Sequence, residues 1–181
     1  MTDWDRSIFD GDLEALLDVR PPVPISRINA IRDVALTHPE HLNYITQRIL
    51  RFLESSPPDY RVAGLYLIDA IIRKPRYPQV ECAVNDYRQR FQAILRDHTL
   101  QGLFDLCSEE DKARVSRVLT YWGGKIYPKQ FAEQLKMDAI QEPNVPRRQP
   151  TVIPNHNMAN ENLQQTLQSI SIIEKRYICT S

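Results

Sequence analysis

The sequence predicts an all-α domain of seven to eight helices, a right-handed stacked superhelix or a compact bundle, followed by a tail. Three observations carry that expectation. Glycine is scarce (5) and proline common (13), which suits helices punctuated by proline better than hairpins joined by glycine turns. Apolar residues recur at three- and four-residue spacing in one segment after another, and no stretch alternates as a strand does. The third is the segment Asp59 to Lys74, in which every residue from Val62 to Ile72 except Asp69 is apolar or glycine. It opens after Pro57-Pro58 and closes at Pro75. A helix apolar on every side belongs at the centre of its domain.

The other elements follow in order. Ile8, Leu13, Leu16 and Leu17 fit one face of a first helix from about Asp5 to Val19, ended by Pro21-Pro22. Ser26 reads as the N-cap of a second, with Ile28, Ile31, Val34 and Ala35 on one side. Pro39 suits a first helical position, and Leu42, Ile45, Ile49 and Phe52-Leu53 form the buried set of a third helix over His41 to Leu53. The central helix is next. Two prolines in P-R-Y-P-Q-V break the chain, then Tyr87, Phe91, Ile94 and Leu95 mark a further helix. Leu100 to Leu106 either continues it or forms a short one of its own. Ser108 with Asp111 resembles a capping box, and Val115, Val118, Leu119 and Trp122 make a clear helical stripe behind it. Gly123-Gly124 ends that helix, and Pro128 opens a last one through Leu135. Spacing near 20 residues per helix shows no regular repeat. The domain is expected over 1–140. A Pro- and Asn-rich linker is expected over 141–160, and a tail over 161–181 in which Leu163, Leu167 and Ile170 fit a short amphipathic helix. Such a helix could dimerise the chain.

Composition excludes several functions. Lys plus Arg and Asp plus Glu are each 23, so no global field draws the chain to nucleic acid or membrane, and charge recognition must be local. Cys82, Cys107 and Cys179 are odd in number and widely spaced, which reads as reduced thiols in an intracellular protein, and no pair approaches zinc spacing. No apolar run approaches a membrane span or a signal peptide's core. There is no phosphate-cradling Gly loop, G-x-S-x-G or H-E-x-x-H, so neither an enzyme nor a cofactor is expected. His38 and His41 flank Pro39, which marks a helix start rather than a ligand scaffold.

Two constellations remain. Tyr66, Asp69 and Arg73 fall on one stripe of the central helix. A carboxylate there needs a partner, because a buried unpaired charge costs several kcal/mol, of order ~5. It is either a ligand group or a structural ion pair. Arg114 and Arg117 lie one turn apart, with Tyr121 a further turn along. Guanidinium groups so spaced can clamp a phosphate. The plain alternative is a solvated face paired with Glu109, Glu110 or Asp111.

P-P-D-Y before L-Y-L-I-D-A-I-I-R (65–73), with K-A-R-V-S-R-V-L-T-Y-W some forty residues on, resembles the CTD-interacting domain, over roughly residues 4 to 136. That family reads the repetitive C-terminal tail of the largest subunit of RNA polymerase II. The resemblance is closest to the branch acting in transcription termination and 3′-end processing. It implies a nuclear protein built as a right-handed superhelix of eight helices. The heptad Y-S-P-T-S-P-S would lie as a β-turn between the second, fourth and seventh helices. On that resemblance Asp69 takes the heptad tyrosine's hydroxyl, Tyr66 packs on the peptide, and Arg73 touches it beside the aspartate. Arg117 matches the arginine that binds phosphate on the second-position serine, and Arg114 a supporting basic residue. Ser26 and Arg27 match the start of the second helix, where some members contact phosphate on the fifth-position serine. Val118 and Leu119 would wall a proline. Thr120 departs from the family's Asn or Asp, and Gly123-Gly124 from its charged pair.

The same superhelix occurs in VHS and ENTH adaptors, which bind sorting peptides or phosphoinositides. A lipid reader wants a basic amphipathic first helix, and here the start carries Asp3, Asp5, Asp10 and Asp12.

Overall fold

The structure, a computed structural model, describes residues 4–75, 77–96 and 100–140. The expected linker over 141–160, the tail helix over 161–181 and dimerisation through it lie outside the described residues. Among the described residues seven α-helices run in order: α1 (Arg6–Glu14), α2 (Ile25–Thr37), α3 (Leu42–Ser55), α4 (Pro58–Ile72), α5 (Glu81–Leu95), α6 (Glu109–Trp122) and α7 (Lys129–Ala139). Single 3₁₀ turns at Pro39–His41 and Pro78–Val80 lead into α3 and α5. No strand occurs among the described residues, and no helix there is long and apolar enough to cross a membrane.

The apolar stretch does form the central helix. α4 packs against α2, α3, α5 and α6, and Leu65, Leu67, Ile68, Ile71 and Ile72 have no exposed surface. Each such side chain contributes about 1.5–3 kcal/mol relative to an exposed one. Gly64 lets α3 come close. A Cβ there would lie 2.8 Å from Leu53 Cδ1 and 3.3 Å from Phe52 Cδ1.

Local signals explain where helices begin and end, with three differences from the sequence reading. First, α1 closes at Glu14 rather than near Val19. Leu16 N–H bonds Leu13 O and Leu17 N–H bonds Glu14 O, the tighter i to i+3 pattern of a helix end. Its start is as expected, with the Asp5 carboxylate accepting from Ser7 N–H at 2.8 Å. Second, Ser26 is not the cap of α2. The prolines hold the chain extended as far as Pro24, at φ −61° and ψ 136°, and the helix begins at the next residue. Third, Leu100 to Leu106 is a series of turns rather than a helix. Gly102 sits at φ 64°, and the N–H groups of Gly102 and Phe104 bond Asp138 O and Ala139 O on α7. Bonds spent on a neighbouring helix cannot close turns of their own. Ser108 caps α6, accepting from Asp111 N–H at 3.2 Å and donating its hydroxyl to Asp111 Oδ2 at 2.9 Å.

Candidate functional site

Asp69 is 7% exposed, and both its oxygens are used. Oδ1 accepts from Trp122 Nε1–H at 2.8 Å, and Oδ2 from Arg73 Nε–H at 2.7 Å. Trp122 is wholly buried, so its indole N–H needs an acceptor that water cannot supply. The acid in the apolar helix and the tryptophan of α6 therefore satisfy each other and lock α4 to α6. Each carboxylate oxygen has two lone pairs and accepts only one bond among the described residues, so Asp69 can accept a further donor from the groove side. Asp69 is both a structural pair and a group on the groove wall.

That wall belongs to an open groove of about 740 Å³ between α2, α4 and the start of α5. Asn29, Arg32 and Asp33 line it from α2, Tyr66, Asp69 and Arg73 from α4. The Arg32 guanidinium is held by Asp33 at 2.6 Å and Asn29 at 2.9 Å. A smaller depression of about 240 Å³ lies between the Pro21-Pro22 turn, α4 and the first turns of α6, where Arg114 lines it. Tyr66 borders both hollows and stands half-buried at their junction.

The cations of the site differ in how free they are. Arg73, the C-cap of α4, lies with its guanidinium carbon 4.0 Å from the centroid of the Tyr121 ring. Burial lowers its pKa, but the hydrogen bond and charge of Asp69 outweigh that and raise it above the ordinary value. Arg114 is tied into its own helix by Asp111 at 2.8 Å and by Glu110, and the Asp111 bond raises its pKa. Arg117 is exposed and makes no ion pair among the described residues.

The expected residues are only partly gathered. Tyr66, Asp69 and Arg73 share the groove, and Arg114 lies beyond Tyr66. Arg117 stands one turn before Tyr121 on the exposed side of α6. Ser26 and Arg27 are exposed on the first turn of α2, beside the groove-lining Ile25. Leu119 has no exposed surface and Val118 only 6%. Both belong to the core beneath the groove, which leaves Leu119 no face to offer a proline. Sequence reasoning missed Trp122 as the partner of Asp69, Tyr121 under Arg73, and the polar α2 wall. A signal existed for the first: a buried indole and a buried carboxylate each lack a partner until they find each other.

Comparison with known proteins agrees with this architecture. The model of the CID domain family matches residues 9–135. SR-related and CTD-associated factor 4 of Homo sapiens is 32% identical over 114 residues, 63% of this chain and 10% of that protein. SR-related and CTD-associated factor 8 of Rattus norvegicus is 31% identical over 114 residues, 63% of this chain and 9% of that protein. The chain thus matches about a tenth of the length of these relatives. A family model spanning most of the chain, on seven helices packed around an acid-bearing centre, makes this chain a member of the CID domain family.

Proposed function

We propose that this chain is a binding module, not an enzyme, for the phosphorylated heptad-repeat tail of the largest subunit of RNA polymerase II. The observation that carries the reading is the groove over α4. Its wall holds a fixed carboxylate suited to a phenol hydroxyl and an aromatic at its mouth in Tyr66, while the exposed guanidinium of Arg117, which makes no ion pair among the described residues, stands outside that wall on α6. A peptide that carries a phenol, a serine phosphate and a proline can use an acceptor, a cation and a ring of this kind. Membership of the CID domain family and relatives named as CTD-associated factors support it.

On this reading Asp69 accepts the heptad tyrosine's hydroxyl through its free lone pair and Tyr66 packs on the peptide. Arg73 touches the peptide beside Asp69 and Arg117 meets phosphate on the second-position serine, with Arg114 contributing only if it leaves Asp111. Ser26 and Arg27, at the start of α2, contact phosphate on the fifth-position serine. The protein is nuclear and links transcription to termination or RNA 3′-end processing, without contacting nucleic acid or membrane through this domain. A groove of this size gives single-repeat affinity of ~10 µM to ~100 µM, rising with repeat number. The test is fluorescence anisotropy with heptad peptides phosphorylated at each serine in turn, using the full chain and Arg117→Ala. The variant should keep its fold and lose the preference for phosphorylated over plain peptide. An equal loss for both peptides would count against the phosphate role, and no binding by the native chain would end the reading.

A further inference from the structure

We infer that Tyr121 is a positioning residue that seats Arg73 beside Arg117, so that these two arginines, rather than Arg114 and Arg117, form the phosphate clamp. The inference rests on the reading of the groove as a phosphopeptide site and assigns its selectivity to a contact between α4 and α6.

Arg73 is held on two sides. Its Nε–H is committed to Asp69 at 2.7 Å, and its guanidinium carbon lies 4.0 Å from the Tyr121 ring centroid, inside the ~6 Å range of cation–π attraction. Its two terminal nitrogens make no ion pair among the described residues, and the side chain is 43% exposed. The fork is therefore fixed in plane with its outer edge open to solvent. Tyr121 and Arg117 are four apart on α6, which places their Cβ atoms about 6 Å apart on one face. Stacking on Tyr121 thus carries the Arg73 fork across from α4 to within a turn of Arg117, whose own guanidinium makes no ion pair among the described residues.

Arg114 is in the opposite state. Both its terminal nitrogens are engaged, by Asp111 Oδ1 at 2.8 Å and by Glu110, and Asp111 is only 15% exposed. To meet a phosphate it must break bonds that Arg73 never made. A phosphate dianion accepts several charge-assisted bonds at once, and a planar fork already held in place lets it be met with less ordering than two loose side chains would need. Tyr121 supplies that ordering beforehand, without touching peptide.

The experiment compares anisotropy with plain and second-serine-phosphorylated two-repeat peptides, for the full chain and for Tyr121→Leu, Tyr121→Phe and Arg73→Lys. Tyr121→Leu should lower the ratio of phosphorylated to plain affinity about fivefold, with plain-peptide affinity within about twofold of native. Tyr121→Phe keeps the stacking face and should retain the ratio. Arg73→Lys keeps the charge, loses the planar fork and should lower the ratio as Tyr121→Leu does, which provides the reading even if the leucine variant folds poorly. Native binding with an unchanged ratio in Tyr121→Leu or Arg73→Lys, or with equal loss for both peptides, overturns the seat and leaves the groove's function standing. A native chain that binds neither peptide overturns both.

Discussion

Replacing Asp69 by Asn separates the two roles that this carboxylate combines. The amide keeps the shape and one acceptor oxygen but turns the second oxygen into a donor. Two donors now compete for one acceptor, Trp122 Nε1–H at 2.8 Å and Arg73 Nε–H at 2.7 Å. Trp122 is fully buried, and leaving its N–H unsatisfied costs about 1–3 kcal/mol. Arg73 is 43% exposed and can turn to water, so the amide oxygen stays with the indole and Arg73 is released. The stability lost is then one charge-assisted bond, discounted for its solvent exposure, or about 1 kcal/mol. In a domain of this size that lowers Tm by roughly 3–4 °C. Binding suffers more, because the phenol loses a charged acceptor and Arg73 its anchor. Affinity for plain peptide should fall about tenfold, and for phosphorylated peptide further still, because Arg73 is released from its seat with it. Thermal melts followed by circular dichroism, with anisotropy on the same samples, read both quantities. A fall in Tm beyond about 10 °C with native affinity retained would refute the dual role and leave Asp69 purely structural.

Three other perturbations probe neighbouring parts of the molecule. Trp122→Phe keeps a ring in the core but strips Asp69 Oδ1 of its donor, so the urea midpoint should drop by an amount worth about 1–3 kcal/mol; an unchanged midpoint would mean another group replaces the indole. Gly64→Ala places a methyl 2.8 Å from Leu53 Cδ1, and since Leu53 is fully buried the overpacking outweighs alanine's better helix propensity, for a net loss of about 1 kcal/mol by urea denaturation. Tyr87 and Tyr127 are buried phenols that donate to Ala35 O and Arg88 O, each at 3.1 Å, and burial pushes both pKa values above the ordinary 10.0. The unfolded chain releases these protons first, so stability that is full below about pH 10 falls as pH rises past it. The double variant Tyr87→Phe/Tyr127→Phe should flatten that alkaline loss, and a midpoint falling as steeply in it as in the native protein would place the cause elsewhere.

What the sequence determined by itself is local. A run of apolar residues this long between prolines suits a buried helix better than a strand, and the periodic stripes of α3 and α6 name their own buried faces, because helix geometry fixes which residues share a side. The oddity of Asp69 was equally legible, since an acid in such a run demands a partner wherever the chain finds one. The identity of that partner was not. Trp122 lies fifty-three positions away and reads as one more core residue until α6 is laid on α4. The same holds for the arginines. Arg73, Arg114 and Arg117 look interchangeable along the chain, yet one is stacked on Tyr121, one is held by Asp111 and Glu110, and one makes no ion pair among the described residues. The turns over Leu100 to Leu106 differ from the expected helix for a like reason: their backbone donors reach the end of α7. Periodicity follows from each residue's near neighbours, whereas the state of a polar group depends on what tertiary packing brings within about 3 Å of it.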